Sequence, residues 1–572
     1  MRKILFGYFL ILFLVSCTGA EKIRGLKNIN PYEYAITKKV SGKNGAVVSA
    51  HPLASKTGIE ILKKGGNAFD AAIATQLALA VVYPRAGNIG GGGFMVARLS
   101  NNELVALDYR ETAPSAAHRD MYLDSVGNVK ANKSIDGHLS GGVPGTIAGL
   151  FETMKYAKLS FKILIEPAIE LAEKGFVLTK AEADLLNSIQ RDLQQLNTMP
   201  SAFSKTIPWN AGDTLVQKDL AATLKRIRDN GAAGFYKGET AKLIVDEMKR
   251  GNGIISFDDL VNYKPKWRKP HTFMYKGYKI VSMPLPSSGG ILLHQMMKMV
   301  EDKPLPSYGF LSLQAIQLMV EGERRAYADR AEHMGDADFF KVPEKELTND
   351  SYIKSRMKDY IPGKAGNSKD IKPGNFFKKE SEETTHLSVI DNEGNAVSVT
   401  TTLNNNYGSK TVIGGAGFFF NDEMDDFSIK PGVPNLYGAV GGEANAIAPG
   451  KRMLSSMTPT IVLQNNKPFL IVGTTGGTTI STSVFQTIID VIDFGMSTDS
   501  AVNAPKFHHQ WLPDRIDVED DFPATLKTGL ERMGYTINVR NKIGRTELIK
   551  VLPNKSIEAV ADSRGDDAAE AY

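Results

Sequence analysis

Cysteine is almost absent: Cys17 is the only one in 572 residues. One thiol cannot form an internal disulfide or a cysteine-built zinc site. Charge of one sign is also scarce. The chain carries 68 basic and 63 acidic residues, a net +5, with no dense Lys/Arg run, which argues against a nucleic-acid partner. Long apolar runs are missing after the first fifteen residues, so no later segment reads as a membrane span. Familiar catalytic signatures are missing too. There is no GxSxG elbow, no HExxH and no SxxK in a fitting context. The run Gly90–Gly93 lacks both the Gly-Lys-Ser/Thr ending and the GxGxxG spacing of a phosphate loop, so it reads as a tight turn where backbones approach closely. His508 and His509 are adjacent and would point to opposite sides of a strand, so no metal site is expected.

The N-terminus reads as a leader. A basic Met1-Arg2-Lys3 precedes an apolar stretch through Val15, too short to span a bilayer comfortably. Leu14-Val15-Ser16-Cys17 resembles a bacterial lipobox, in which the cysteine is acylated and becomes the new N-terminus. The expectation is a leader over 1–17, a polar tether over 18–45, and an exported body held to a membrane by lipid alone.

Within the body, Ala46–Ala50 reads as a strand, Leu53–Lys64 as a helix closed by Gly65-Gly66, and Ala68–Val82 as a buried helix stopped by Tyr83-Pro84. Gly137–Leu150 is a second glycine-rich turn entering a helix. Residues 150–360 read as mostly helical, with extended pieces such as Tyr278–Val281. From Ile361 to Glu383 the composition predicts an exposed, flexible segment. It ends abruptly at Thr384. Beyond it the pattern is β: Thr385–Ile390 with Ala396–Thr400, and Thr460–Leu463 with Phe469–Val472, read as hairpins, and a helix follows from about Thr482 to Phe494. Strands flanked by helices predict a layered α/β sandwich.

Hydroxyl groups crowd the first hairpin, in TTHLSV from Thr384 and SVTTTLNNNYG from Ser398. One reading is a threonine-rich hairpin and nothing more. The other is a nucleophile, which needs a base beside it. A threonine whose own α-amine is the base meets that need once the preceding peptide bond is cut. Such an amine titrates near pH 7.7–8.0, close to the working pH of a general base.

The motifs TTHLSVID, TTLNNNYG, NDEMDDFSIKPGVPNLYG, RMLSSMTPTIV, GTTGG and NAPKFHHQWLPD resemble the bacterial gamma-glutamyltranspeptidases, which are N-terminal-nucleophile hydrolases. Upstream, HPLAS, GGNAFDAA, LDYRETAP, GHLSGGVPG and PLPSSGG extend the resemblance over residues 45–572. The resemblance implies an α/β (α+β) fold, a four-layer αββα sandwich built from two chains after self-cleavage between Glu383 and Thr384. The large chain would cover 46–383, and the small chain the 189 residues 384–572. Thr384 would be the nucleophile and Thr402 would orient it, with Gly476 and Gly477 as the oxyanion hole. Arg110, Ser455 and Ser456 would take the α-carboxylate of a γ-glutamyl group. Asn404, Glu423 and Asp426 would take its α-ammonium, although by composition alone the two acids read as surface residues of a loop. Tyr437 would latch a loop over the bound group. His386 receives no chemistry, and Gln510 and Trp511 read as packing residues.

The implied reaction passes the γ-glutamyl group of glutathione and related compounds to water, an amino acid or a peptide, without cofactor or metal. A poly-γ-glutamate depolymerase, an acylase, or a γ-glutamyl-binding lipoprotein that never processes are the alternatives. The chain departs from the family pattern at Thr474-Thr475, where members commonly have Ser-Pro, and in its NIGGGG turn. Arg564-Gly565-Asp566 reads as a chance adhesion tripeptide.

Overall fold

A computed structural model describes residues 28–372, 384–430 and 443–572. Cys17, Glu383 and Tyr437 lie outside the described residues.

Two seven-stranded antiparallel sheets form the centre. Their strands, in chain order, are β1 (Lys39–Gly42), β2 (Gly45–Ser49), β3 (Gly92–Arg98), β4 (Leu104–Asp108), β5 (Lys266–Arg268), β6 (His271–Tyr275), β7 (Tyr278–Ser282), β8 (Thr385–Asp391), β9 (Ala396–Thr402), β10 (Thr460–Gln464), β11 (Lys467–Thr474), β12 (Thr546–Val551), β13 (Ile557–Ala561) and β14 (Ala568–Ala571). One sheet runs β1-β13-β12-β11-β10-β7-β6, and the other β14-β2-β8-β9-β3-β4-β5. Both sheets contain strands from before and after Thr384. In particular, β2 is hydrogen-bonded to β8 on one side and to β14 on the other.

Strands β2, β3, β8 and β9 of the second sheet are buried on both faces, and alternate residues enter different cores. Leu387, Val389, Val397 and Val399 face helices α1 (Pro52–Lys63) and α2 (Ala68–Val82) in one core. From the same sheet, Ala46, Val48, Phe94 and Val96 join a second core with Ile461, Ile471 and Val472 of the other sheet. Helices α3 (Gly289–Glu301), α4 (Leu313–His333) and α5 (Thr479–Ile492) close that core from outside. The result is helix, sheet, sheet, helix, as expected. Helix α2 starts where its capping box predicts: Asn67 accepts from Phe69 and Asp70 N–H, while the Asp70 carboxylate accepts from Asn67 N–H at 2.8 Å.

Two stretches differ from their sequence reading. Residues 39–45 are not tether, because β1 pairs with β13 and the Lys38 ammonium donates to the carbonyls of Asp562, Gly565 and Asp567 at 2.6–2.7 Å. The stretch 361–372 is not wholly exposed either. Ser368 and Ile371 are buried, and their carbonyls accept from the Trp511 indole at 3.0 and 2.9 Å. Composition favoured flexibility there, but the Trp511 indole and the side chains of Gln317, Glu321 and Asp514 hold it to the body.

Candidate active site

Thr384 stands one residue ahead of β8. The ladder pairs Thr385 with Thr401, so one further step sets Thr384 opposite Thr402, on the face that looks at the other sheet. Thr384 is 6% exposed and its Oγ1 has no hydrogen-bond partner among the described residues. A buried, unbonded hydroxyl is a costly group to keep. Thr402 Oγ1 accepts from Asn404 N–H at 2.7 Å, and the Thr402 carbonyl accepts from Asn88 Nδ2 at 2.7 Å. The glycine turn makes that second contact feasible, since a Cβ on Gly91 would sit 2.0 Å from the Thr402 carbonyl oxygen.

His386 lies two residues on, on the same face. Its ring nitrogens meet Thr400 Oγ1 at 2.9 Å and Ser388 Oγ at 3.1 Å, and burial lowers its pKa to about 3. The ring also presses on Gly473, where a Cβ would stand 2.2 Å from Cε1. His386 is thus a neutral spacer between the sheets, and other hydroxyls of the hairpin are taken up from outside it: Thr401 Oγ1 donates to the Gly92 carbonyl at 2.7 Å and Ser398 Oγ accepts from Thr460 N–H at 3.1 Å.

Strand β11 passes this ring and runs into Gly476 and Gly477, with φ of 120° and 69°. Both lie in the region that glycine tolerates, and α5 begins two residues later. Their N–H groups donate to nothing among the described residues, whereas their carbonyls accept from Thr479 and Ile480 N–H. Free N–H groups at a helix N-terminus suit a developing oxyanion. The Thr474-Thr475 departure leaves this loop braced: Thr474 Oγ1 accepts from Arg545 N–H at 2.9 Å and donates to the Thr475 carbonyl at 3.1 Å.

The charged residues converge. Arg110, 1% exposed just after β4, pairs through Nη1 with Glu423 and through Nη2 with Asp426. Glu423 and Asp426 are themselves buried, in the 3₁₀ turn Glu423–Asp426, so the surface reading that composition favours is wrong. Burial pulls Arg110 down, but the two carboxylates more than offset it and hold it above its ordinary value. Burial pushes Glu423 well up despite Arg110. Groups assigned to opposite ends of one zwitterion therefore neutralise each other here. Arg110 also donates to the carbonyls of Met453 at 3.4 Å and Leu454 at 3.2 Å, which puts it beside Ser455. Ser455 Oγ accepts from Met457 N–H at 3.2 Å, and Asn404 Nδ2 donates to the Asp422 carbonyl at 3.0 Å while its Oδ1 is unpartnered.

Three contributors escaped the sequence reading. Arg330, buried on α4, donates through Nη2 to Ser456 Oγ and through Nε to Ser288 Oγ at 2.8 Å. Nothing distinguishes it in GERRAYADRAEH. Asn445 donates to the Asp426 carbonyl at 2.7 Å and accepts from Leu454 N–H at 3.0 Å, tying together two segments that hold Arg110. Glu111 was passed over although it follows Arg110 directly in the LDYRE motif, a signal that could have found it. His508 and His509 turn to different partners, Thr482 and Asp514, and no group of three or more His, Cys, Asp or Glu able to hold a metal occurs among the described residues. Gln510 and Trp511 pack as expected, and Arg564 is taken up by Glu519 and Asp562.

A threonine at the head of a central strand, inside an αββα sandwich, defines the N-terminal-nucleophile hydrolase class. The gamma-glutamyltranspeptidase profile matches residues 54–572. A glutathione hydrolase proenzyme of Escherichia coli (strain K12) is 45% identical over 551 residues, covering 95% of each chain. The crystal structure of Helicobacter pylori gamma-glutamyltranspeptidase superposes with TM-score 0.56 at 44% identity, over 60% of this chain and 97% of that one. A cephalosporin acylase from Bacillus halodurans superposes with TM-score 0.83 at 25% identity, over 95% and 98% of the two chains. The chain belongs to the gamma-glutamyltranspeptidase family, and it is an enzyme.

Proposed function

We propose that the chain is a precursor that cuts itself between Glu383 and Thr384, then uses Thr384 to cleave the γ-glutamyl bond of glutathione and related compounds. The observation that carries this reading is the buried Thr384 hydroxyl opposite Thr402, without a hydrogen-bond partner among the described residues, together with a glycine pair at the end of the strand that passes His386, whose N–H groups donate to nothing among those residues. In the first step Thr384 Oγ attacks the Glu383 carbonyl carbon. The C–N bond breaks as the C–O ester forms, and the hydroxyl proton passes to the nitrogen, which frees the Thr384 α-amine; water then hydrolyses the ester, restoring the Thr384 hydroxyl and leaving the Glu383 carboxylate as the end of the first chain. That amine then takes the hydroxyl proton as Oγ attacks the γ-carbonyl of the substrate. The N–H groups of Gly476 and Gly477 receive the oxyanion, and the leaving amine collects the proton. Water, an amino acid or a peptide accepts the acyl group from the ester.

In this reading Arg110, with Ser455 and Ser456, takes the α-carboxylate, while Asn404, Glu423 and Asp426 take the α-ammonium. The guanidinium fork suits a carboxylate. An arriving zwitterion exchanges the internal ion pairs for equivalent ones of its own, so little charge is left uncompensated at any stage. The body is exported by the leader 1–17 and held by a lipid on Cys17. Among the described residues no helix is long and apolar enough to cross a membrane.

The test is a denaturing gel of the purified protein followed by incubation with glutathione, with and without a dipeptide acceptor. Two fragments and release of glutamate or a γ-glutamyl dipeptide are expected. A chain that turns over glutathione without ever splitting rules out the amine-base mechanism.

A further inference from the structure

Glu111 is fully buried, and among the described residues neither of its carboxylate oxygens accepts a hydrogen bond from an N–H or hydroxyl donor. A buried carboxylate without donors is expensive, so it holds a proton or shares one. The partner is close by. A Cβ on Gly142 would stand 2.9 Å from Glu111 Cβ, and one on Gly92 would stand 2.6 Å from Oε2. The N–H groups of Gly142 and Glu423 both donate to Asn421 Oδ1, at 2.8 and 3.1 Å, which holds Glu423 alongside the wall that Glu111 lines. Glu423 gives one oxygen to Arg110, while its Oε2 is without a donor.

The other charged or titratable groups around Glu111 are Arg110 on its own segment, Asp426 on the 3₁₀ turn, and the phenols of Tyr109, Tyr236 and Tyr263. The phenols are engaged elsewhere, donating to Gln76 Oε1 at 2.9 Å, the Pro144 carbonyl at 2.9 Å and the Arg110 carbonyl at 2.8 Å. Three carboxyl groups therefore surround one guanidinium. Burial pushes Glu111 up to about 7 against the pull of Arg110, and Glu423 is raised well above its ordinary value.

We propose that Glu111 and Glu423 share one proton in the empty site and that the α-ammonium of a γ-glutamyl ligand takes that proton's place. Glu111 is then a positioning residue that couples recognition of the ammonium to proton release. The O–H bond of the shared carboxyl breaks, its proton passes to bulk water, and the ammonium N–H groups bond to the carboxylates left behind. No electron is transferred. The inference rests on the reading of Arg110, Glu423 and Asp426 as the glutamyl-head site.

The experiment is calorimetric titration of the self-cleaved wild-type enzyme with L-glutamate at pH 6, in two buffers of different protonation enthalpy. Close to one proton released per glutamate is expected, with affinity rising up to tenfold per pH unit towards pH 7. In Glu111→Gln and in Glu423→Gln the release is lost and the affinity is flat with pH, because the one carboxylate left has no second carboxylate to share a proton with and ionises against Arg110. Binding to the wild type without proton release overturns the proposal, as does undiminished release in a cleaved Glu111→Gln enzyme. If that variant fails to fold, the wild-type measurement alone decides. A wild-type enzyme that does not bind glutamate overturns the head-site reading itself and this inference with it.

Discussion

Replacing Arg110 by lysine keeps the charge and removes the fork. In the structure the guanidinium serves Glu423 with Nη1, Asp426 with Nη2, and the carbonyls of Met453 and Leu454 with its remaining donors. A lysine ammonium has its three donors on one atom and can serve one carboxylate well. The variant therefore gives up at least one contact to a charged partner, worth about 1.5–3 kcal/mol. If the substrate carboxylate takes over the guanidinium, that loss appears as a fall of roughly tenfold to a hundredfold in kcat/KM for glutathione. Folding and self-cleavage should survive, since the buried acids still face a cation. Arg110→Leu is the contrast. It strands two buried carboxylates, a cost of about 3–5 kcal/mol, so it should cleave poorly or not at all. Adding Glu423→Gln to Arg110→Leu should recover part of the loss. The assay is a denaturing gel for the two fragments, then initial rates on glutathione. An Arg110→Lys enzyme that self-cleaves with unchanged kcat/KM would remove Arg110 from the substrate site. One that never cleaves would assign it to the fold instead.

Thr384→Ala should remain a single chain without activity, whereas Thr384→Ser, which keeps a hydroxyl and a future α-amine, should still split, though more slowly. Gly476→Ala forces a Cβ to 2.5 Å from Thr479 Oγ1 at a φ of 120°, so the loop must shift; if it carries the oxyanion donors, kcat should drop roughly a hundredfold to a thousandfold with KM for glutathione little changed. His386→Gln tests the neutral spacer. The native ring stays uncharged down to about pH 3, while the unfolded ring protonates below about 6.5, so its stabilisation is complete above 6.5 and fades as the pH falls. The stability deficit of the variant relative to wild type, read from denaturant melts, should accordingly narrow by up to about 1.4 kcal/mol per pH unit below 6.5; a deficit constant from pH 7.5 to 5 would contradict this. Cys17→Ala should move activity from the membrane fraction to the soluble fraction, and continued membrane association would place the anchor elsewhere.

Local signals were readable in the sequence. Helix α2 is bounded as expected because both of its limits are local: the Asn67/Asp70 box at one end and Tyr83-Pro84 at the other. The two hairpins are local in the same way, with registers fixed by alternation and short turns. Pairings across the chain were not readable. Arg110 meets Glu423 and Asp426 across more than three hundred residues, and no local pattern announces that acids in a loop will be buried against a guanidinium. Arg330 was invisible for the same reason, being one charged helix residue among several. The edge strand β1 has only four residues and takes its identity from its partner β13. Motif resemblance found the candidate residues that physics alone could not, but it did not say that those of opposite charge would be paired with one another.

The position of β2 between β8 and β14 decides how the two halves of a cut chain stay together. Each half contributes strands to both sheets, and the end of the molecule returns to its beginning, where the Tyr572 carbonyl accepts from Lys43 and Asn44 N–H at 2.8 Å. Separating the halves would mean stripping a central strand on both edges and opening two apolar cores at once. Dissociation is then no easier than global unfolding. Two differently tagged preparations, each cut and then mixed under native conditions, would not trade fragments. One covalent bond can therefore be surrendered to make a nucleophile without loosening the molecule that uses it.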